Sequence, residues 1–496
     1  MIMKIKNILT CLAAIGFTGM ISSCSEEILD ITPLTNNTAN DFYKSEDQVN
    51  QGVLAIYNSW LPVPVSSNWY LSEVRSDNTH EIEGGAQRDY KEVGTFTASS
   101  QTAAFQTAWT QLYSVVYRSN VVLSKIEGFE FARVSQFKAE ARFFRALAYF
   151  DLVRYWGDVP LVDKVLSIVE AKNALRAPSA DIYKFIVDDL IFASENLPTT
   201  YAVTDKGRAT KYAAKALLGR VYLTMAGYPL KQTDKLALAK KELADVMAVG
   251  TTLFPAPALY KDLFTIANKN KYHIFEVQYI SGGKGLGSSL PSEMAFQFPS
   301  QWSSFTGGFE GEVEPALLAS YARTDARKAA TLDSGYVDTK TGATSGRVQF
   351  TKFLEKGDAS VTSRSDYARN FPIIRYADVL LMYAEILNEE AATPPVQAVQ
   401  LLNQVRTNAK VATITPATKD AMRLALENER RWEFAGEGLR WFDLVRTERA
   451  IPVMNEFIKS HDIPLANGVT KRDLLFPVPL GEMLINPGFW KQNEGY

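Results

Sequence analysis

The sequence predicts a mostly α-helical protein in which tetratricopeptide-like helix pairs scaffold long irregular loops, with minor β content. Two observations carry this expectation. Apolar residues recur every three or four positions along several long stretches, and these come in neighbouring pairs. Between the second and third pairs that periodicity gives way to glycine, serine, proline and aromatic residues.

The chain opens with Lys4 and Lys6, an uncharged and mostly apolar run over residues 8–21, and Ile21-Ser22-Ser23-Cys24. The run is short for a bilayer span, so it reads as an export signal over residues 1–23, with Cys24 as the lipidated new N-terminus. An ordinary cleaved secretory signal is the alternative, because Ile rather than Leu stands three residues before the cysteine. Residues 24–40 are polar and rich in Thr, Asn and Pro, which suits a tether between lipid and body.

The first helix pair spans residues 102–126 and 136–156. Phe105, Trp109, Leu112, Val116 and Leu123 share one face of the former; Phe137, Ala141, Phe144, Ala148, Leu152 and Tyr155 share one face of the latter. Arg142, Arg145 and Arg154 fall largely off that second stripe, and Gly157 with Pro160 stops the helix. A second pair occupies residues 181–196 and 211–226. A third begins at residues 374–390 and continues, after Thr393 as N-cap and Pro394-Pro395, to about residue 408. Units of roughly 34 residues suggest tetratricopeptide-like stacking, although the W-x₂-L-G signature is not matched. Within residues 254–370 Ile274 to Tyr279 alternates like a strand, one of few in the chain, and Gly282 to Gly287 with Trp302 and Phe305 belongs to long loops of the kind that carry function.

Removing Lys4 and Lys6 with the leader takes the formal net charge from −2 to −4, so nothing steers the protein toward nucleic acid. Cys11 lies in the leader and Cys24 carries lipid, which leaves no thiol for a disulfide, a nucleophile or a metal. His80, His273 and His461 are far apart and lack ligand spacing, which argues against zinc or Ser-His chemistry unless the fold brings distant residues together. Gly-rich residues 282–287 match no phosphate-binding pattern, and no nucleophile elbow, H-E-x-x-H or calcium loop occurs. No cofactor is implied.

Glu429 and Glu433 in Asn428-Glu429-Arg430-Arg431-Trp432-Glu433 would be the acid/base pair of an enzyme. They share one helix face, whereas glycosidases place two carboxylates across a sugar bond, and the interleaved arginines would hold both ionised. The block through Arg446 therefore reads as an ion-pair network fastening two helices and the turn at Gly436 to Gly438. Loop aromatics beside amides and carboxylates suit sugar recognition and nearly equally a peptide, although each ring taken alone is more often a core residue than a ligand platform.

Ala139-Glu140-Ala141-Arg142-Phe143-Phe144-Arg145-Ala146-Leu147-Ala148-Tyr149-Phe150, with Tyr155-Trp156-Gly157-Asp158-Val159-Pro160, resembles the hallmark helix of the SusD/RagB family of Bacteroidetes surface nutrient-binding lipoproteins. Arg208-Ala209-Thr210-Lys211, Arg375-Tyr376-Ala377-Asp378, the block from Glu429 to Arg446, and the terminal Gln492-Asn493-Glu494-Gly495-Tyr496 follow in family order. The resemblance implies an N-terminal helical region over residues 41–230 packed as one body with a C-terminal region over residues 260–496. It implies non-catalytic capture of an oligosaccharide, or in the alternative a peptide, and delivery to a SusC-like TonB-dependent barrel in the outer membrane. By region, Asn68, Trp69, Tyr70, Asp77, Asn78 and Trp302 are the expected ligand residues. Some members of the family bind calcium, but no ligand set for a metal can be placed on this sequence. A surface glycan hydrolase using Glu429 and Glu433, and a purely structural adaptor, are the readings from other classes.

Overall fold

The computed structural model describes residues 42–80, 88–295, 299–300, 302, 305, 312–354 and 361–496. The expected signal over residues 1–23, Cys24 and the tether to residue 40 lie outside the described residues, as do Phe296, Phe298 and Phe309 of the loop aromatics. The chain divides into two compact units, residues 1–48 and 49–496. Within the first, Lys44 N donates to Gln48 Oε1 (2.7 Å).

The long helices are α1 (Glu46–Trp60), α3 (Ala103–Lys125), α4 (Val134–Trp156), α5 (Ser179–Asn196), α6 (Lys211–Ala226), α7 (Lys235–Leu253), α10 (Tyr376–Glu390), α11 (Val396–Asn408), α12 (Lys419–Phe434) and α14 (Ala450–Ser460). Shorter are α2 (Arg88–Gly94), α8 (Leu290–Met294), α9 (Pro315–Ser320) and α13 (Arg440–Arg446), and a ten-residue π-helical segment runs Pro64–Glu73. Helices α3, α4, α5, α6 and α7 each pack on the next, α7 packs on α10, and α10 on both α11 and α12. This is the expected mostly helical, tetratricopeptide-like stack.

Helix α4 is the centre of the first half. It is buried around nearly its whole circumference, because α3 covers one side and α5 another. Its buried polar residues are each matched: Glu140 accepts from Arg208 Nη1 (3.1 Å) and the Tyr57 hydroxyl (2.7 Å), and Arg145 makes a two-pronged contact with Asp189 (2.8 and 2.9 Å). The helix ends because Gly157 adopts φ +70°, where an added Cβ would stand 2.9 Å from Leu475. In the second half, Leu380, Leu381 and Ala384 of α10 close over Leu402 and Val405 of α11 and Met422 and Leu426 of α12.

Three details differ from the expected elements. Ile374 and Arg375 end strand β4 (Phe371–Arg375), so α10 begins two residues later than periodicity suggested. Pro395, not Thr393, is the N-cap of α11, and no side chain caps it. Helix α7, which the sequence reading passed over, covers α6: Leu243 lies where a Cβ on Gly219 would be only 2.6 Å away. The β content is small. Strand β2 (His273–Val277) pairs antiparallel with β4, Phe371 opposite Val277, and β1 (Thr79–His80) pairs with β3 (Glu312–Val313), Thr79 opposite Val313.

Candidate ligand-binding site

The two carboxylates considered as an acid/base pair, Glu429 and Glu433, are out of reach. Glu429 is 0% and Glu433 3% exposed. Arg327 Nη1 donates to both (2.6 and 3.1 Å), Arg406 Nη1 donates to Glu429 (2.7 Å), and Arg375 Nη1 donates to Glu433 (2.6 Å). Burial would raise Glu433, but Arg375 and Arg327 hold it below the ordinary glutamate value. At Glu429 burial prevails over Arg327 and Arg406 and pushes the carboxyl up, so the expectation that arginines keep both groups ionised does not by itself exclude an acid at this position. Inaccessibility does. Lys352 and Arg375 extend the web to Glu437 (2.8 and 2.9 Å), and Arg430 joins Asp378 and Asp443 (2.6 and 2.7 Å).

The same web captures two of the six residues expected to hold ligand, and packing encloses a third. Asp77 accepts from Arg440 Nε and Nη2 (2.8 and 2.9 Å), and Arg440 and Arg431 outweigh burial to hold its carboxyl low. Asn78, fully buried, donates to Glu73 (2.8 Å) and accepts from Arg431 Nε (2.8 Å). Glu73 in turn accepts from Gly436 N and Gly438 N (both 2.9 Å), where φ values of +82° and +71° turn both amides toward it. Trp69 is 1% exposed and meets Phe350 edge-on (5.9 Å between centroids). Trp69, Asp77 and Asn78 are therefore corrected from ligand contacts to internal fastenings. Asn68 is half-buried with its Cβ and backbone against Gly438, close enough that a Cβ there would be 2.6 Å away. Trp302 is half-buried; its Nε1 donates to Asp333 (2.8 Å) and its ring packs on Ala295, Leu354 and Tyr367.

Of the six, Tyr70 lines a groove among the described residues. The groove holds about 750 Å³, with Ser66 and Tyr70 on one wall from the π-helical segment and Thr107 and Gln111 on another from α3. Asp89 of α2 and Ser289 and Glu293 at α8 complete it. The Tyr70 hydroxyl donates to Glu293 Oε2 (3.0 Å), the Ser66 hydroxyl donates to Gln111 Oε1, and Asp89 accepts from Ala104 N (2.9 Å). One aromatic ring among hydroxyls, an amide and two carboxylates can take both the C–H face and the vicinal hydroxyls of a polyol. A second cleft of about 820 Å³ beside α13 is lined by charges that already satisfy one another, among them Arg446 with Glu385 (2.8 Å) and Arg449 with Glu427 (2.8 Å).

Sequence reading missed Ser66, Asp89, Gln111 and Glu293. One signal was present: Ala104, Thr107 and Gln111 recur at i, i+3 and i+7, a small and polar stripe beside the apolar stripe of α3.

Comparison with known proteins places this architecture. A family model described as the SusD family matches residues 304–496, and one described as starch-binding associating with outer membrane matches residues 28–223. The chain belongs to the SusD family. A SusD-like protein of Bacteroides ovatus is 28% identical over 483 residues, covering 91% of this chain and 84% of its own. Among solved structures, a laminarin-binding SusD-like protein is 27% identical with a TM-score of 0.74, over 92% of this SusD-family chain and 100% of the other. A SusD homologue from Bacteroides thetaiotaomicron, 21% identical, superposes with a TM-score of 0.78 over 95% of this chain and 100% of its own, which supports the fold. The family is one of starch- and glycan-binding proteins associated with the outer membrane.

Proposed function

We propose that this SusD-family chain captures an oligosaccharide at the cell surface without cleaving it and passes it to a SusC-like TonB-dependent barrel, while a lipid on Cys24 keeps it in the outer membrane. The observation that carries the reading is the groove at Tyr70, Gln111 and Glu293, an aromatic face ringed by hydroxyl-binding groups. The laminarin-binding relative supports a glucan as the ligand class. The burial of Glu429 and Glu433 supports binding without turnover. Tethering would raise the effective concentration of the captured sugar at the transporter in the same membrane.

The test is a binding and product screen of the mature chain against laminarin, starch oligosaccharides, other glycans and a peptide set. Glycan binding with no released product, weakened about tenfold or more by Tyr70→Ala and by Gln111→Ala, is the expected result; a loss of this order corresponds to about 1.4 kcal/mol or more. Binding of peptides alone would move the assignment to a peptide-capturing member, and released sugar would overturn the non-catalytic reading.

A further inference from the structure

Two of the three histidines, remote in sequence, meet on one carboxylate. His80 ends β1, Glu314 caps the start of α9 by accepting from Ala316 N (3.2 Å), and His461 follows directly on α14. Glu314 Oε2 lies 3.0 Å from His80 Nδ1 and 2.9 Å from His461 Nε2. The donor atoms of the three residues all stand within 4.8 Å of one another.

The surroundings fix which nitrogen is available. His461 Nδ1 is 2.9 Å from the Phe457 carbonyl, which can only accept, so Nδ1 carries a proton and donates it there. The neighbouring Ser460 hydroxyl donates to that same carbonyl (2.8 Å) and so does not supply Nδ1 with a proton of its own. The Nε2 lone pair is left pointing at a carboxylate oxygen 2.9 Å away, and two acceptors at that separation need a proton or a metal cation between them. The backbone carbonyl behind the ring is the support that metal-bound imidazoles characteristically have. Behind His80, Glu312 Oε2 lies 3.9 Å from Nε2, and the other oxygen of Glu312 is fixed by Val348 N (2.8 Å).

We propose that His80, Glu314 and His461 form a site for a divalent transition ion of the zinc class, with water in the fourth position. Two imidazoles and one carboxylate are a zinc ligand set, and the nitrogen donors disfavour calcium and magnesium. Ligands about 2.0–2.1 Å from a tetrahedral ion stand about 3.3 Å apart, so the two nitrogen–oxygen separations at Glu314 need open by only a few tenths of an ångström, and the two imidazole nitrogens, within 4.8 Å of each other, would draw to that same spacing. The side chains are 16%, 12% and 23% exposed, which leaves a path for the ion and its water. A metal there would staple the end of β1 to the starts and ends of two helices from the C-terminal half, next to the fastening of Asp77 and Asn78.

The test uses the mature chain without a polyhistidine tag, stripped with chelator and titrated with zinc chloride by calorimetry, then with cobalt(II) by visible absorption. The expected result is one zinc per chain, a tetrahedral cobalt spectrum, and affinity lowered about tenfold or more in both His80→Ala and His461→Ala. Glu314→Gln, which keeps the helix cap and the shape, serves if a histidine variant fails to fold, and it should weaken zinc binding likewise. No zinc binding by the parent chain, or binding unchanged in the folded variants, overturns the proposal.

Discussion

Asp77 grips Arg440 with both carboxylate oxygens, at 2.8 and 2.9 Å, across 363 residues of chain. The pair locks the segment after the π-helical turn onto α13, and Arg431 adds a third contact to the same carboxylate (3.1 Å). Asp77→Ala would leave the buried Arg440 guanidinium with only its longer contact to Glu427 (3.3 Å) and would take one carboxylate contact from half-buried Arg431. It should cost about 3–5 kcal/mol in a urea titration, and below the unfolding midpoint the variant should bind glycan as the parent does. A drop in affinity at unchanged stability would instead return Asp77 to the ligand site.

Trp69 and its neighbour Tyr70 should separate in the same way. Trp69→Ala removes a fully enclosed indole from its contact with Phe350, so a loss of roughly 3–5 kcal/mol in unfolding free energy is expected. Tyr70→Phe keeps the ring and deletes only the hydroxyl on Glu293; stability should move within about 0.5 kcal/mol while glycan affinity falls. Unfolding curves and calorimetric titrations on both variants decide the matter.

These neighbours also show where sequence stops informing. The helices of the first two pairs were readable because large apolar side chains repeat at regular spacing and bury one face. Helix α7 keeps the same period, Ala239, Leu243, Val246 and Gly250, but half of these residues are too small to signal a buried face. Within Pro64–Glu73 the chain takes π-helical turns, so no 3.6-residue phase says which of Trp69 and Tyr70 looks inward. The groove draws Ser66, Asp89, Gln111 and Glu293 from four separate elements, and only folding brings them together. The arginine-rich block was legible as an ion-pair network, yet its reach back to Glu73, Asp77 and Asn78 was not.

Cys24 supplies a cellular prediction. Among the described residues no helix is long and apolar enough to cross a membrane. If acyl chains on Cys24 are the anchor, at roughly 0.8 kcal/mol per buried methylene, the full chain carrying Cys24→Ser should leave the membrane fraction and fail to incorporate labelled fatty acid. Its folded body should still bind glycan. Retention in the membrane fraction without label would point to a different anchor.

Acid should act on the fold through Asp378. This carboxylate, 0% exposed in α10, accepts from Arg220 Nη2 (2.6 Å) and from Arg430 Nη1 (2.6 Å), so it joins α6, α10 and α12. Burial would raise it, but the two arginines hold it well below the ordinary aspartate value of 3.8. A carboxylate depressed by folding contributes stability that is fully present above its unfolded pKa and is lost as pH falls through the folded one. Glu73, Glu140 and Asp189 are raised by burial and work in the opposite sense, since their protonation on acidification favours the fold. The pH dependence of the parent protein therefore mixes both signs, and the difference between parent and Asp378→Asn isolates one. At pH 7 the variant should be the less stable, with buried Arg430 and half-buried Arg220 each short of a charge partner. Below pH 4 the parent should lose its advantage at up to about 1.4 kcal/mol per pH unit, so the gap between the two should narrow by roughly 1–2 kcal/mol between pH 5 and pH 2.5. Urea midpoints measured at pH 7, 5, 3.5 and 2.5 would show this convergence; a gap that stays constant over that range would mean that Asp378 is not the group through which acid loosens the helix stack.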